Sequence, residues 1–227
     1  YFNISINLFL IYFYQDFSLK LFLILASLYL GFFIIGFLDD KLSLSPTKKT
    51  FAVLVVLMLY MPLDDQLLVQ NLIFKDLDLN IFLNKSSIFF TIISLFFFYN
   101  FINFSDGANG VTLSLCIFWT LVFLFKGGVN DIYLISLLFS LSIVLLFNLN
   151  ENLFIGNSGS SLLSIVFGTL FIFNYNLDQS LKSDEILLLM FLPAIDSIRV
   201  AIVRILNSEF PFKPDKKQFH HLLLSIL

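Results

Sequence analysis

Four short polar stretches interrupt an otherwise strongly apolar chain: "GFLDDKLSLSPTKK" with Asp39 and Asp40, "NFSDGANGV" with Asn103, Asp106 and Asn109, "FIGNSGSS" with Asn157 and Ser158, and "PFKPDKKQFHH" with Asp215, His220 and His221. Oxygens of Asp and Asn are the hard ligands that Mg2+ or Mn2+ takes. Adjacent carboxylates repel and raise each other's pKa unless a cation neutralises them. The exposed N–H groups of a helix starting near Ser160 would suit a phosphate. A divalent metal site is the economical explanation of the set. Each stretch also has a plain reading on its own. Asp39 and Asp40 can be a water-facing helix end, as Asp64 and Asp65 are expected to be, "DGANG" a turn, "GNSGS" a serine-capped helix start, and the histidines interfacial residues. A turn does not account for Asn103 at the end of an apolar run, and the plain readings do not account for all four stretches falling on one face.

The elements that must position these residues are membrane helices. The 227 residues are 59% hydrophobic and 13% charged, with a mean hydropathy of +0.94, outside the range of a soluble globular domain. Apolar runs fall at 17–38, 87–104, 132–149 and 186–206, with weaker ones at 1–15, 50–63, 111–125 and 160–177. They predict an all-α polytopic membrane protein, one domain over 1–227 with a bundle of about eight transmembrane helices. The lone Cys116 lies inside an apolar run, which excludes a disulfide framework and a cysteine-based metal site. The opening "YFNISINLFLIYFY" has neither an initiator methionine nor the basic start of a signal peptide, and reads as the interior of a longer chain.

Counting crossings assigns loops 39–49, 105–110, 150–159 and the 207–221 tail to one side, and 64–86, 126–131 and 178–185 to the other. The first side and its helix ends hold Lys41, Lys48, Lys49, Arg199, Arg204, Lys213, Lys216 and Lys217, eight of the thirteen basic residues. The positive-inside rule makes that side cytoplasmic, and all four polar stretches lie on it.

With "PAIDSIRVAIVR" added, these motifs resemble, in order and in spacing, the polyprenyl-phosphate N-acetylhexosamine-1-phosphate transferases of bacterial cell-envelope synthesis. These belong to glycosyltransferase family 4 and are related to phospho-N-acetylmuramoyl-pentapeptide transferase; the likeness covers roughly residues 31 to 221. It implies a multi-pass enzyme of the bacterial inner membrane with a cytoplasmic active site. Such an enzyme moves a sugar-1-phosphate from a UDP-sugar to undecaprenyl or another polyprenyl phosphate, releasing UMP, with Mg2+ or Mn2+ as cofactor. Asp39 and Asp40 correspond to metal-binding and catalytic carboxylates, undivided between the two roles, and Asn157 to a metal position. Asp106, His220 and His221 correspond to further catalytic residues. Asn103, Asn109, Ser158, Lys48, Arg199, Arg204 and Asp215 correspond to substrate contacts, with Asp196 a candidate partner for one of the arginines. The expected partners are the polyprenyl phosphate lipid, a UDP-N-acetylhexosamine (UDP-N-acetylglucosamine preferred, from the tail "PDKKQFHHLLL") and the bilayer, with a homodimer open and no nucleic acid.

Two positions depart from the family pattern. Asn157 stands where the family carries an aspartate reported as a metal ligand, and one neutral oxygen binds a metal more weakly. Gln218 stands where a third histidine is usual, and cannot carry a proton at neutral pH. The family's first helices and its closing helix are also missing from the chain, which then reads as part of a ten- or eleven-helix protein. The competing reading is a catalytically degraded homologue that binds polyprenyl phosphate or a UDP-sugar without turnover. A secondary transporter would need inverted repeats and broken helices, and a CDP-alcohol transferase a DG-x-x-AR segment; neither is present.

Overall fold

The computed structural model describes residues 18–75, 77–106, 109–127, 131–176 and 180–206, with the backbone alone at 192–194, 196–201 and 203–205. In lipid an unpaired backbone N–H or C=O costs several kcal/mol, so apolar runs close their hydrogen bonds within the segment as helices. Seven are described: α1 (Leu19–Leu42), α2 (Pro46–Tyr60), α3 (Ser87–Ser105), α4 (Val111–Lys126), α5 (Asp131–Leu149), α6 (Gly156–Asn176) and α7 (Ser183–Leu206). Among the described residues five segments are long and apolar enough to cross a membrane: α1, α2 extended to Leu63, α3 extended back to Asn84, α5 and α6. The chain is an all-α polytopic membrane protein. The expected run at 1–15 lies outside the described residues.

The bundle is organised around α6, buried along nearly its whole length from Ser158 to Tyr175. Ser160, Ser161, Ser164 and Gly168 give it a slim profile, which lets neighbouring backbones come close where no hydrophobic effect drives helices together. Its buried hydroxyls are satisfied locally or across helices: Ser164 donates to the Ser161 carbonyl (2.6 Å), and Thr169 pairs with the Tyr29 hydroxyl of α1 at 2.6 Å. On α1, Leu21, Leu25, Leu28, Phe32 and Ile35 are buried, while Leu23, Leu30, Ile34 and Phe37 face outward as a lipid-exposed flank. An aromatic cluster joins α3, α4 and α6. Trp119 lies 5.5 Å from both Phe98 and Phe171, and Phe123 4.9 Å from Phe171 in an edge-to-face pair, each contact contributing about 0.5–1.5 kcal/mol beyond burial.

The long 64–86 connection contains a feature the apolar pattern did not foretell. Strands β1 (Asn71–Phe74) and β2 (Leu79–Phe82) pair antiparallel, Asn71 opposite Phe82. Tyr175, near the end of α6, anchors the hairpin: its hydroxyl donates to the Asn71 carbonyl and accepts from the Ile73 N–H, both at 2.8 Å. This end of the bundle is further tied by Lys20 to the Leu63 carbonyl (2.7 Å), Asn176 to the Leu68 carbonyl (2.9 Å) and the Lys126–Glu185 ion pair. The loops after α1, α3 and α5 meet at the opposite end, as counting crossings requires.

Candidate functional site

At that opposite end, α1 finishes with Asp39 and Asp40 in its last turn. Ser43 adopts a left-handed conformation (φ 48) that stops the helix. The reversal is held by Asp39, whose Oδ1 accepts the Leu44 N–H at 3.0 Å. Ser45 then caps α2, with Pro46 in its first position, so α2 runs back beside α1. One turn into α2 the Lys49 ammonium reaches three oxygens from three helices: Asp39 Oδ2 of α1 at 2.7 Å, Asn103 Oδ1 of α3 at 2.8 Å and Asn157 Oδ1 of α6 at 2.9 Å. The ring of Tyr99 lies 5.8 Å from the same ammonium.

Asp40 does different work. Its Oδ1 accepts the backbone N–H of Asn157 (2.9 Å) and the Asn157 amide Nδ2 (3.1 Å), and its Oδ2 accepts the Ser158 N–H (2.9 Å). A side chain of α1 thus closes the N-terminus of α6, satisfying donors that a helix start leaves open and placing a negative charge at the positive end of the dipole. The approach requires Gly36 one turn earlier: a Cβ there would lie 2.2 Å from the Asn157 carbonyl oxygen.

Asp106 follows the last residue of α3. Burial first, then the nearby charge of Asp40, push its carboxyl up to about 7, with Lys49 pulling the other way. None of the ion pairs among the described residues includes it. Asn103 spends its oxygen on Lys49, while its buried Nδ2 has no acceptor within hydrogen-bond distance among the described residues. Asn148, at the end of α5, joins two loops: its Oδ1 accepts the Gly110 N–H at 2.6 Å and its Nδ2 donates to the Leu153 carbonyl at 2.8 Å. Gly110 sits at φ +84, where a side chain would be strained.

The structure therefore brings together Asp39, Asp40, Asn103, Asn157 and Ser158, with Asp106 close enough to feel Asp40 and Lys49. Lys48 is exposed and Asn109 is exposed beside α4. Arg199, Arg204 and Asp196 lie on α7, with side chains outside the description; Asp215, Gln218, His220 and His221 lie outside the described residues. Sequence reasoning passed over Lys49 and Asn148. Lys49 shares a helical stripe with Val53 and Leu57, both fully buried, whereas Phe51, three residues after Lys48, is exposed. In the sequence every position from Phe51 to Tyr60 is apolar, so no apolar phase separated Lys49 from Lys48. Asn148 carried only the weak signal of a polar residue closing an apolar run.

The donors of the cluster are of the oxygen type that a hard cation takes. One carboxylate and two amide oxygens already converge within 2.9 Å of a positive charge, and such oxygens are what Mg2+ and Mn2+ take. The set is poor in charge, and among the described residues no three His, Cys, Asp or Glu side chains cluster to hold a metal.

A family model described as glycosyl transferase family 4 matches residues 21–174, well over half of the chain, and so takes in every residue of this cluster. No curated protein matches the chain.

Proposed function

Because the chain belongs to glycosyl transferase family 4, we propose that it transfers N-acetylhexosamine-1-phosphate from a UDP-sugar, with UDP-N-acetylglucosamine the preferred donor, to polyprenyl phosphate at the cytoplasmic face of a bacterial membrane. In that reaction a phosphate oxygen of the lipid bonds to the sugar-bearing phosphorus. The bond from that phosphorus to the bridging oxygen breaks, and UMP leaves with the electron pair. The observation that carries this reading is the convergence of Asp39, Lys49, Asn103 and Asn157 from four helices at one end of an apolar bundle. There a membrane-held phosphate and a water-soluble nucleotide can meet.

Phosphoryl transfer asks a protein mainly to position the reactants and neutralise charge. Lys49 supplies positive charge at the centre of the cluster, and the Asn103 Nδ2, without an acceptor among the described residues, supplies a donor for a phosphate or sugar oxygen. Asp106, with its carboxyl raised to about 7, is suited to take the proton of an arriving lipid phosphate near neutrality. Asp39, Asn157 and Asn103 are the residues that would hold Mg2+ or Mn2+, which when bound supplies charge neutralisation at the donor diphosphate. His220, His221, Asp215, Arg199 and Arg204 are assigned to contacts with the diphosphate and sugar by family likeness.

The test is to incubate membranes holding the complete gene product with polyprenyl phosphate, Mg2+ and radiolabelled UDP-N-acetylglucosamine. The expected result is butanol-extractable label with UMP release, abolished by EDTA and by Asp106→Asn. No lipid-phase label with any UDP-N-acetylhexosamine, alongside retained UDP-sugar binding, would replace this reading with the non-catalytic homologue.

A further inference from the structure

We infer that the Lys49 ammonium is the resident cation of the Asp39–Asn103–Asn157 oxygen cradle, that Asn157 is the residue that makes the cradle fit it, and that a divalent metal reaches these oxygens only by displacing the ammonium. The neutral amide of Asn157 faces two ways. Its Nδ2 donates to Asp40 Oδ1 at 3.1 Å, and its Oδ1 accepts from Lys49 at 2.9 Å. A carboxylate at this position has no proton to give Asp40, and would put a negative oxygen within about 3 Å of another, an arrangement that needs an added cation. With asparagine there, one carboxylate (Asp39) faces one ammonium (Lys49) and the cradle is neutral without metal. Both partners are well shielded from water, Asp39 being 11% and Lys49 17% exposed at the side chain, so their attraction is little screened. Asparagine is thus matched to Asp40 and Lys49, and its cost falls on the affinity of the cradle for divalent ions.

The significance for catalysis rests on the transferase reading above, but the measurement does not. Mn2+ binding is read directly on the purified full chain in detergent, by the electron paramagnetic resonance signal of free Mn2+. Lys49→Met is expected to bind Mn2+ at least tenfold more tightly than the unaltered protein, because Asp39 loses its counter-ion while all three oxygens remain. Lys41→Met removes the same charge from the same end of the bundle, at an exposed position in the last turn of α1 where Lys41 lies over the Phe37 ring at 5.9 Å, and should stay within twofold. Asn157→Asp, which keeps Lys49 but adds one negative charge, should tighten Mn2+ binding severalfold, and it carries the test if Lys49→Met does not elute as a folded species in size exclusion. Unchanged or weaker Mn2+ binding in folded Lys49→Met, or unchanged binding in Asn157→Asp, overturns the inference. If the expected order of Mn2+ affinities appears while every variant and the parent lack transferase activity, the inference stands and the transferase reading falls.

Discussion

Replacing Asp40 by alanine separates its role as an interhelix cap from the catalytic role that family likeness alone would give it. The change removes the hydrogen bonds that Asp40 accepts from the Asn157 amide and from the two backbone N–H groups that open α6. Loss of an N-cap costs about 0.5–2 kcal/mol, and the charge–dipole attraction adds about 0.3–1 kcal/mol. Water replaces part of this, because Asp40 is exposed. A local cost of about 2 kcal/mol is the expectation, roughly a 30-fold increase in opening of the first turn of α6. Hydrogen–deuterium exchange read by mass spectrometry on peptides spanning Asn157 and Ser158 measures it. Asp40→Asn should fall between, since one oxygen remains but an NH2 group then confronts a backbone N–H. Exchange of the 157–158 amides within threefold of the unaltered protein in Asp40→Ala would refute the capping argument, whatever happened to turnover.

Three further outcomes follow from the same geometry. Gly36→Ala places a methyl 2.2 Å from the Asn157 carbonyl oxygen; α1 and α6 must separate, costing at least about 1–3 kcal/mol, seen as a lower unfolding temperature in detergent. Asp106 has a folded-state pKa of about 7, above its ordinary value of 3.8. Its ionisation therefore costs no stability below about pH 4. The penalty grows as pH rises from about 4 to 7 and is complete above that. Asp106→Asn should accordingly match the parent in thermal unfolding at pH 4 and exceed it at pH 8; a parallel pair of curves would contradict the assignment. Asn148→Ala unties Gly110 from Leu153 at a cost of about 1–3 kcal/mol for the buried groups left unpaired, and exchange should quicken in both the 109–110 and 150–155 segments; a change in one alone would show that the loops are not coupled through it.

The helices were legible in the sequence because a lipid-spanning segment must close its hydrogen bonds within itself. The apolar runs at 17–38, 87–104 and 132–149 reappear as α1, α3 and α5 within a few residues, and even the shorter run at 111–125 is a helix. The sharing of one end by "LDDK", "NFSDGANG" and "FIGNSGS" followed from counting crossings. The hairpin at 71–82 was not legible, because β1 and β2 depend on Tyr175 and Ser183, about a hundred residues away.

By itself, then, the sequence determined the membrane class, the spans and the end at which the polar groups gather, since these follow from local hydropathy and from the number of crossings it implies. Tertiary structure alone decided which of two adjacent side chains does what. Asp39 meets Lys49 while Asp40 caps α6, and Lys49 turns inward while Lys48 faces out. Neighbours on a helix point about 100° apart, so their partners depend on the rotation of α1 and α2 about their axes. Contacts elsewhere set that rotation: Gly36 against the backbone of α6, and Val53 and Leu57 in the buried core.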